Sequence, residues 1–459
     1  MSAATTVNPT ARSAPRTKGR EEFAADQYVP VPPKTLEQAG VSPSLVEQLI
    51  LKNLHFRGEV AGRDLAGLLG FQFSVIEPVL MFLKQQRLVE VKSSSGFGNV
   101  SSSFAVTDGG RVRAKEYLEN NQFLGPAPVQ LKDYNYAVQA QKVRGGWMTI
   151  DNLKKAYASA VIGPEFFSQF GPAVNSFKSL LIYGAPGNGK TYLAEQLVNV
   201  ESDPIFIPYV IEAEGQFIKV FDSLYHEKIE EERESVLVQA DEKYDRRWVR
   251  CRRPFITTGG ELTMGMLDLM HIDGAKIYDA PYQLKANNGF YLIDDFGRQQ
   301  ITPAELLNRW IYPLDRGRDY LQFRTGSKIE VPFECFLMFS SNLNPNDLGD
   351  EAFLRRLEYK MFMKNPTDEE FAAIFHKQCQ QLKIECPVGL LASVIRKHYR
   401  EAERPFRRCH PRDILNCCID LIRFEQLPYT LTPDLVDRAF EVKFVSLDQQ
   451  EDFVSNVKR

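Results

Sequence analysis

The sequence lacks any apolar run long enough to cross a membrane. A membrane-spanning helix needs about 20 consecutive apolar residues, and no such run occurs among the 459 residues. The N-terminus carries Ser, Thr, Ala, Arg and Pro where a secretion signal has its hydrophobic stretch. We therefore expect a cytoplasmic protein without membrane insertion.

Cysteine and histidine are scarce, and neither shows the spacing of a metal site. The six histidines are scattered and the seven cysteines contain no C-x-x-C pair. We expect neither a zinc site nor a disulfide framework. The cysteines are interpreted as mostly reduced, buried thiols: Cys251, Cys335, Cys379, Cys386, Cys409, Cys417 and Cys418.

An excess of charge of one sign is also missing. The formal net charge is −3, so no overall field attracts the chain to nucleic acid or to acidic membranes. With 44% hydrophobic and 25% charged residues, the composition is that of a soluble globular protein. The length suits about three domains.

One segment satisfies every fixed position of the phosphate-binding pattern G-x-x-x-x-G-K-[ST]. Its glycines reach backbone angles that a Cβ forbids, so that successive N–H groups can surround a phosphate. The lysine supplies a charge for the β- and γ-phosphates, and the threonine hydroxyl can bind Mg²⁺. The predicted ATP-binding residues are Gly184, Ala185, Pro186, Gly187, Asn188, Gly189, Lys190, Thr191 and Tyr192.

The segments around this loop predict a strand before it and a helix after it. Residues 179–183 are an apolar run, and residues 191–197 have helical spacing. This strand–loop–helix order aims a helix N-terminus at the bound anion. A glycine-rich turn that matches by chance is the alternative.

A second apolar run, residues 289–293, ends in two carboxylates. In nucleotide hydrolases such a strand ends beside the phosphate loop. We expect Asp294 to hold Mg²⁺ with Thr191, and Asp295 to polarise the attacking water. A buried strand that simply ends in solvated acids is the alternative.

With these motifs in this order, the chain resembles AAA+ ATPases from about residue 150 to 450. The resemblance implies an α/β P-loop core with a C-terminal helical lid, ATP and Mg²⁺ as cofactors, and a ring of identical subunits, most often a hexamer. It implies four further roles. Asn342 ends a sensor-1 strand and orients the water with Asp295; Arg356, with Arg355, reaches the nucleotide of a neighbouring subunit; Arg412 contacts the phosphates from the lid.

Each of these four residues also has a structural alternative. A strand-end Asn is often a turn residue, paired arginines are often solvated, and Arg412 could form a salt bridge within its own helix.

Three features depart from the pattern of the AAA+ family. Asp295 stands where the family usually has the longer Glu, so slow hydrolysis or a nucleotide switch stays open. A long insertion, about residues 227–288, separates a helix expected near residues 217–225 from the Asp294 strand. The aromatic pore loop of threading motors is missing after Ile211, where Glu212 to Phe217 follows.

The insertion is acidic at first and then basic around Trp248. The first part holds Glu227, Glu230, Glu231, Glu232 and Glu234, and the second holds Arg246, Arg247, Arg250, Arg252 and Arg253. A paired acidic and basic helix is the favoured interpretation, and a surface for nucleic acid or a partner is the alternative.

The domain organisation follows from these segments. We expect a disordered tail over 1–38, a small α+β domain over 39–122, a connector over 123–160, the nucleotide-binding domain over 161–366 and the lid over 367–459. The 39–122 domain resembles a winged helix, with strands at 88–91 and 103–106. Its third helix, expected to open with a capping box at Ser74 to Glu77, offers only Lys84 and Arg87 as cations.

So few cations argue against tight duplex binding, because phosphate neutralisation dominates DNA affinity. The favoured function is therefore an ATP-dependent ring that remodels an unidentified protein partner, in the manner of a chaperone. The alternatives are an ATP-gated DNA-binding regulator or loader, and a switch that binds ATP without hydrolysing it.

Overall fold

The computed structural model describes residues 27–94, 99–143, 146–230, 243–348 and 354–444. Its helices are α1 (Pro43–Arg57), α2 (Gly62–Leu69), α3 (Phe73–Gln85), α4 (Asp108–Asn120), α5 (Leu131–Ala140), α6 (Ile150–Ala156), α7 (Pro164–Ser176), α8 (Lys190–Glu195), α9 (Tyr282–Lys285), α10 (Pro303–Arg316), α11 (Pro345–Leu348), α12 (Asp368–Leu382), α13 (Leu390–Val394), α14 (His410–Glu425) and α15 (Pro433–Lys443).

The strands are short. They are β1 (Val60–Ala61), β2 (Val89–Ser94), β3 (Ser102–Val106), β4 (Val129–Gln130), β5 (Ser179–Tyr183), β6 (Ile205–Pro208), β7 (Val210–Ala213), β8 (Gln216–Lys219), β9 (Trp248–Cys251), β10 (Phe255–Thr258), β11 (Met270–Ile272), β12 (Ile277–Asp279), β13 (Phe290–Ile293), β14 (Arg318–Gln322), β15 (Lys328–Pro332), β16 (Phe336–Ser341) and β17 (Tyr359–Phe362).

The central sheet is five-stranded and parallel, in the order β10-β13-β16-β5-β17. Strands β13 and β16 are buried along their whole length, as expected for parallel strands covered on both faces. Helices α6 and α7 cover one face, and α10 covers the other through Trp310. Because β16 lies between β5 and β13, the carboxyl ends of these three strands meet at one edge, where ligands of such sheets bind.

The predicted α/β core with a helical C-terminal part is confirmed. The lid consists of α12 to α15 around a core of its own. Three helices in or next to these parts have side-chain caps: the side-chain oxygens of Thr302, Thr367 and Thr432 each accept a backbone N–H, and the first two form full capping boxes.

The N-terminal unit, α1 to α4 with β1 to β3, is α+β and has its own core. The Ser42 side chain caps α1 by accepting from the backbone N–H of Leu45. The expected capping box at Ser74 is wrong, since α3 begins at Phe73 after Gln72, which makes no side-chain cap. The resemblance of this unit to a winged helix stays a prediction.

The segment between β5 and β13 differs most from the expectation. Residues 204–211 form parts of two strands, β6 and β7, which belong to sheets other than the central one. The helix expected near residue 217 is wrong: β8 lies there, paired antiparallel with β7. Glu214 and Gly215 connect them with φ of 51° and 73°, the backbone of a type I′ hairpin turn.

The basic half of the expected insertion is a strand, not a helix. Residues 248–251 form β9, which pairs with β6. Strand β10 of the central sheet also falls inside the range 227–288, so that range is not one insertion. Of the acidic half, Glu227 and Glu230 lie outside helices, and residues 231–242 lie outside the described residues.

Arg247 at the start of β9 joins this region to the N-terminal unit. Its buried guanidinium forms an ion pair with the buried carboxylate of Asp245, at 2.7 Å. It also donates to the carbonyls of Ala39 and Pro128, and lies over the ring of Phe71. The buried Arg247 guanidinium therefore ties the two parts of the chain through its contacts with Ala39 and Phe71.

The same region orders part of the predicted tail. The backbone N–H of Asp245 donates to the carbonyl of Pro30, and Tyr28 packs edge-on against Trp248. The prediction of disorder is therefore wrong for residues 27–38, because Tyr28 and Val29 pack against the cluster that holds Trp248. Residues 1–26 lie outside the described residues.

Within the described residues, no single helix is long and apolar enough to cross a membrane. Helices α2 and α3 pass that test only as a bent pair, by length and composition, and both contribute to the N-terminal core.

Arg247→Ala should lower the free energy of unfolding by about 3–5 kcal/mol, because it leaves the buried Asp245 carboxylate without its counter-ion. Arg252→Ala in the same basic segment is the matched control, since Arg252 pairs with Glu227 at the surface and such pairs contribute about 0–1 kcal/mol. Chemical denaturation measures both. Equal effects of the two substitutions would contradict the account.

Candidate nucleotide-binding site

The phosphate loop needs glycine at two positions for separate reasons. Gly184 has φ of 146°, and a Cβ there would lie 2.6 Å from the carbonyl oxygen of Met363. Gly187 has φ of 78°, and its Cβ would lie 2.7 Å from the Sγ of Cys409. The first contact is to the chain that follows β17 and the second is to the lid. The loop is thus held between the sheet and the lid.

Lys190 is the first residue of α8 and is almost fully buried. Its Nζ donates to the carbonyls of Gly184 and Ala185, at 2.9 and 3.1 Å, and to the Oδ1 of Asn342, at 2.6 Å. Burial lowers the pKa of this ammonium, while Asp295 and Asp294 act to raise it and Arg407 lowers it. The ammonium group that we expect to bind the phosphates is therefore held by three oxygen atoms.

Asn342 follows the last residue of β16 and connects the lysine to the second acid. Its Oδ1 accepts from Lys190, and its Nδ2 donates to the Oδ1 of Asp295, at 2.9 Å. The side chain therefore joins the phosphate loop to the end of β13. The predicted partnership of Asn342 and Asp295 is present as a direct contact.

Asp295 has φ of 49°, in the left-handed region that Asp tolerates better than most residues. Asp294 before it is held by its backbone N–H, which donates to the carbonyl of Thr258. This turn points the two carboxylates differently: Asp295 lines the cleft, and Asp294 faces Thr191.

The predicted metal ligands lie together. The Oγ1 of Thr191 donates to the Oδ1 of Asp294, at 2.8 Å. A hydroxyl beside a carboxylate offers the hard oxygen ligands that Mg²⁺ prefers, so these residues fit the ion. Burial, with a smaller contribution from the nearby Asp294, raises the pKa of the Glu195 carboxyl, one helical turn after Thr191.

A cleft of about 590 Å³ opens between the loop and the lid. Gly184 and Ala185 lie behind it, with their carbonyls on Lys190. Residues of the connector and of α12 line the end away from the carboxylates. The predicted residues that line the cleft are Pro186, Gly187, Asn188, Gly189, Lys190, Thr191, Tyr192, Asp295, Asn342 and Arg412.

The lid supplies more cations than predicted. Arg412 lines the cleft from α14 with a largely exposed side chain, and its Nε lies 3.4 Å from Asp413. Arg408 also lines the cleft, paired with Glu370 and donating to the carbonyl of Val161. Arg407 contacts Asn365.

These contacts bring the lid directly onto the phosphate loop. The backbone N–H of Cys409 donates to the carbonyl of Gly187, at 2.9 Å. Asn188 donates to Asn365, which also accepts from Arg407. The sequence prediction missed Arg407 and Arg408, although both come directly before the predicted lid helix. Arg298, three residues after Asp295, also lines the cleft and was missed.

The two other predicted arginines lie away from this cleft. Arg355 and Arg356 do not line it within the part of the chain that the structure describes. Arg356 forms an ion pair with Asp315, with Nε 3.2 Å from Oδ2, and Arg355 is exposed. Residues 350–353 of the same predicted segment lie outside the described residues.

Comparison with known proteins gives limited similarity. A family described as "Domain of unknown function (DUF8689)" matches residues 367–442, within the lid. No match was found among curated proteins.

The chain is similar in structure to a point mutant of RuvB from Thermotoga maritima, at 13% identity and a TM-score of 0.34, over 65% of this chain and 72% of that one. It is similar to NtrX from Brucella abortus, at 13% and 0.40, over 66% and 62%. It is also similar to the T. maritima RuvB Holliday junction branch migration motor, at 14% and 0.33, over 67% and 74%.

The similarity to these structures is low, and the fold is defined by the chain's own features. The phosphate loop follows β5, the carboxylate strand β13 is separated from it by β16, and a helical lid closes the cleft. The chain therefore has a P-loop α/β core with a helical C-terminal part.

Asp294→Asn should remove the Mg²⁺-dependent part of ATP binding, because an amide holds the hard cation less well than a carboxylate. Binding of a fluorescent ATP analogue, with Mg²⁺ and with a chelator, measures this part. Binding in chelator should stay near the wild-type value. Glu201→Gln, at an exposed carboxylate paired with Lys155, is the control. An unchanged Mg²⁺ increment in Asp294→Asn would contradict the assignment.

Proposed function

We propose that this chain is an Mg²⁺-dependent ATP hydrolase that acts as a ring of identical subunits and remodels a protein partner. The observation that carries the proposal is the contact chain from Lys190 through Asn342 to Asp295. It joins the predicted phosphate ligand and the predicted water-activating carboxylate in one network, beside the Thr191–Asp294 pair.

Each residue of this network has a distinct task in the proposal. Lys190 meets the phosphate charge, and Asn342 fixes the distance between Lys190 and Asp295. Asp295 accepts a proton from the attacking water, which Asn342 helps to orient. Mg²⁺, held through Thr191 and Asp294, would supply charge neutralisation on the phosphate oxygens.

The proposed reaction needs cations at the transferring phosphoryl group besides Lys190. Negative charge builds on the transferring phosphoryl group, and an added arginine lowers the barrier. Arg412 can serve from the lid. Arg356 lies by the amino end of β5, where its carbonyl accepts from the Ser179 hydroxyl, so it would reach the nucleotide of another copy. This separation supports a ring, with six subunits as the AAA+ resemblance implies.

The outer face of α3 supports a protein partner more than DNA. Pro78 and the half-exposed Phe82 lie one turn apart on it, and an apolar face gives no phosphate neutralisation. Three arginines of the basic segment around Trp248 already have partners within the chain, which also argues against DNA binding. Arg247 is buried, Arg252 pairs with Glu227, and Arg253 donates to the carbonyls of Gln141 and Asn288.

A nucleotide switch is the second candidate, and the short Asp295 carboxylate is the observation that favours it. The Asp295 carboxylate accepts from Asn342, and its backbone is in the left-handed region. The turn therefore limits how far this carboxylate extends toward an attacking water. If the water lies beyond that reach, ATP binding alone would hold the ring together.

Steady-state ATP turnover per subunit should rise cooperatively with protein concentration, because the site is completed by assembly. Asp295→Asn should reduce turnover about 10²–10⁴-fold through loss of the general base. Arg356→Ala should reduce it about 10³–10⁵-fold through loss of the transition-state cation. Both should still bind ATP.

Arg252→Ala controls for loss of a surface arginine and should keep wild-type turnover. Turnover independent of concentration, with full activity in Arg356→Ala, would contradict the shared site. ATP binding without turnover at any concentration would favour the switch. Steeply salt-dependent DNA binding that stimulates turnover would favour the DNA-binding alternative.

A further inference from the structure

The ion pair between Asp315 and Arg356 connects two elements far apart in sequence. Asp315 lies in the last turn of α10, and Arg356 precedes β17. Their side chains meet at 3.2 Å, with exposed fractions of 47% and 20%. We propose that Asp315 is a positioning residue for ATP hydrolysis, which holds the Arg356 guanidinium in the orientation that meets a neighbouring subunit's nucleotide. This inference rests on the proposed function.

The location of the pair separates it from the cleft of its own chain. Tyr359 pairs with Leu180, and Phe362 pairs with Tyr183, directly before the phosphate loop. Arg356 precedes Tyr359 and touches Ser179, the first residue of β5. The length of β5, about 16 Å at 3.3 Å per residue, lies between Arg356 and the loop. The partner of this arginine is therefore a second copy.

Asp315 breaks a local rule of helix design. A negative charge in the last turn of a helix faces the negative end of the macrodipole, which costs about 0.3–1 kcal/mol. The exposed pair with Arg356 returns a similar small amount, so stability gives little reason for this residue. Residues that break a local rule without a gain in stability are expected at functional sites.

The expected task is orientation. A long arginine side chain without a fixed partner samples many rotamers. Fixing its orientation before assembly lowers the entropy lost at the transition state. The Asp315 carboxylate binds the Nε of Arg356, and this contact sets the plane of the guanidinium. Asn at residue 315 keeps the size of the side chain but loses the charge, and Glu keeps the charge.

The experiment compares Asp315→Asn with a matched control, Asp273→Asn. Asp273 also forms an exposed pair with an arginine, Arg324, but lies on neither the cleft nor the Arg356 face. We expect Asp315→Asn to lower kcat by up to about 10²-fold, the loss that a misplacement of order 1 Å can cause, with ATP KM and melting temperature near the wild-type values. Asp315→Glu should recover part of kcat.

A double-mutant cycle tests the route of the effect. If Asp315 acts through Arg356, then Asp315→Asn adds nothing in the Arg356→Ala background. A kcat for Asp315→Asn equal to that of Asp273→Asn, or additive losses in the double variant, would overturn the positioning role.

The cycle also separates this inference from the proposed function. Loss of turnover in Arg356→Ala with none in Asp315→Asn removes only the role of Asp315. Full turnover in Arg356→Ala removes both, because no arginine is then left to position. A wild-type chain that binds ATP without turnover removes both as well.

Discussion

The site depends on the Asn342 side chain, which holds the phosphate-loop lysine and the second carboxylate at a fixed separation. The side-chain amide of Asn342 accepts a hydrogen bond from Lys190 and donates one to Asp295. Asn342 can do so because β16 lies between the strands that carry the other two residues. The order of the sheet is thus what turns three separate motifs into one network.

The backbone around Asp295 gives a physical reason for the shorter acid. The chain turns sharply after β13, and residue 295 has φ of 49°. Asp tolerates that region better than longer side chains, because its carboxylate can bond locally. The hydrogen bond from Asn342 then holds the Asp295 carboxylate toward the cleft, which compensates for its side chain being shorter than that of Glu. In this chain, the left-handed backbone at residue 295 therefore favours the shorter acidic side chain.

Much of the site could be predicted because its residues belong to local motifs. The phosphate loop, the acids after β13 and the amide after β16 each follow an apolar strand, so sequence spacing alone brings them to one edge. Arg407 and Arg408 could not be found in this way, since their contacts with Asn365 and Glu370 depend on how the lid packs. The pair between Asp315 and Arg356 is likewise a tertiary contact.

The fold prediction was correct for the α/β core and the helical C-terminal part and wrong between residues 217 and 288. There the apolar segments are short, and their order does not reveal which sheet each strand joins. The turn at Glu214 and Gly215 was the available signal for a hairpin. Tail residues near Tyr28 were also predicted wrongly, because their order depends on a distant partner, Trp248.

The central claim is that one active site is built from two subunits, and mixing two inactive variants tests it most directly. Asp295→Asn keeps Arg356 but lacks the base, and Arg356→Ala keeps the base but lacks the arginine. In a mixed ring, an Arg356→Ala subunit beside an Asp295→Asn subunit has a complete site. The account predicts that the mixture hydrolyses ATP, with a maximum at intermediate ratios, while each variant alone does not. A mixture as inactive as its parents, with mixed assembly verified, would contradict it.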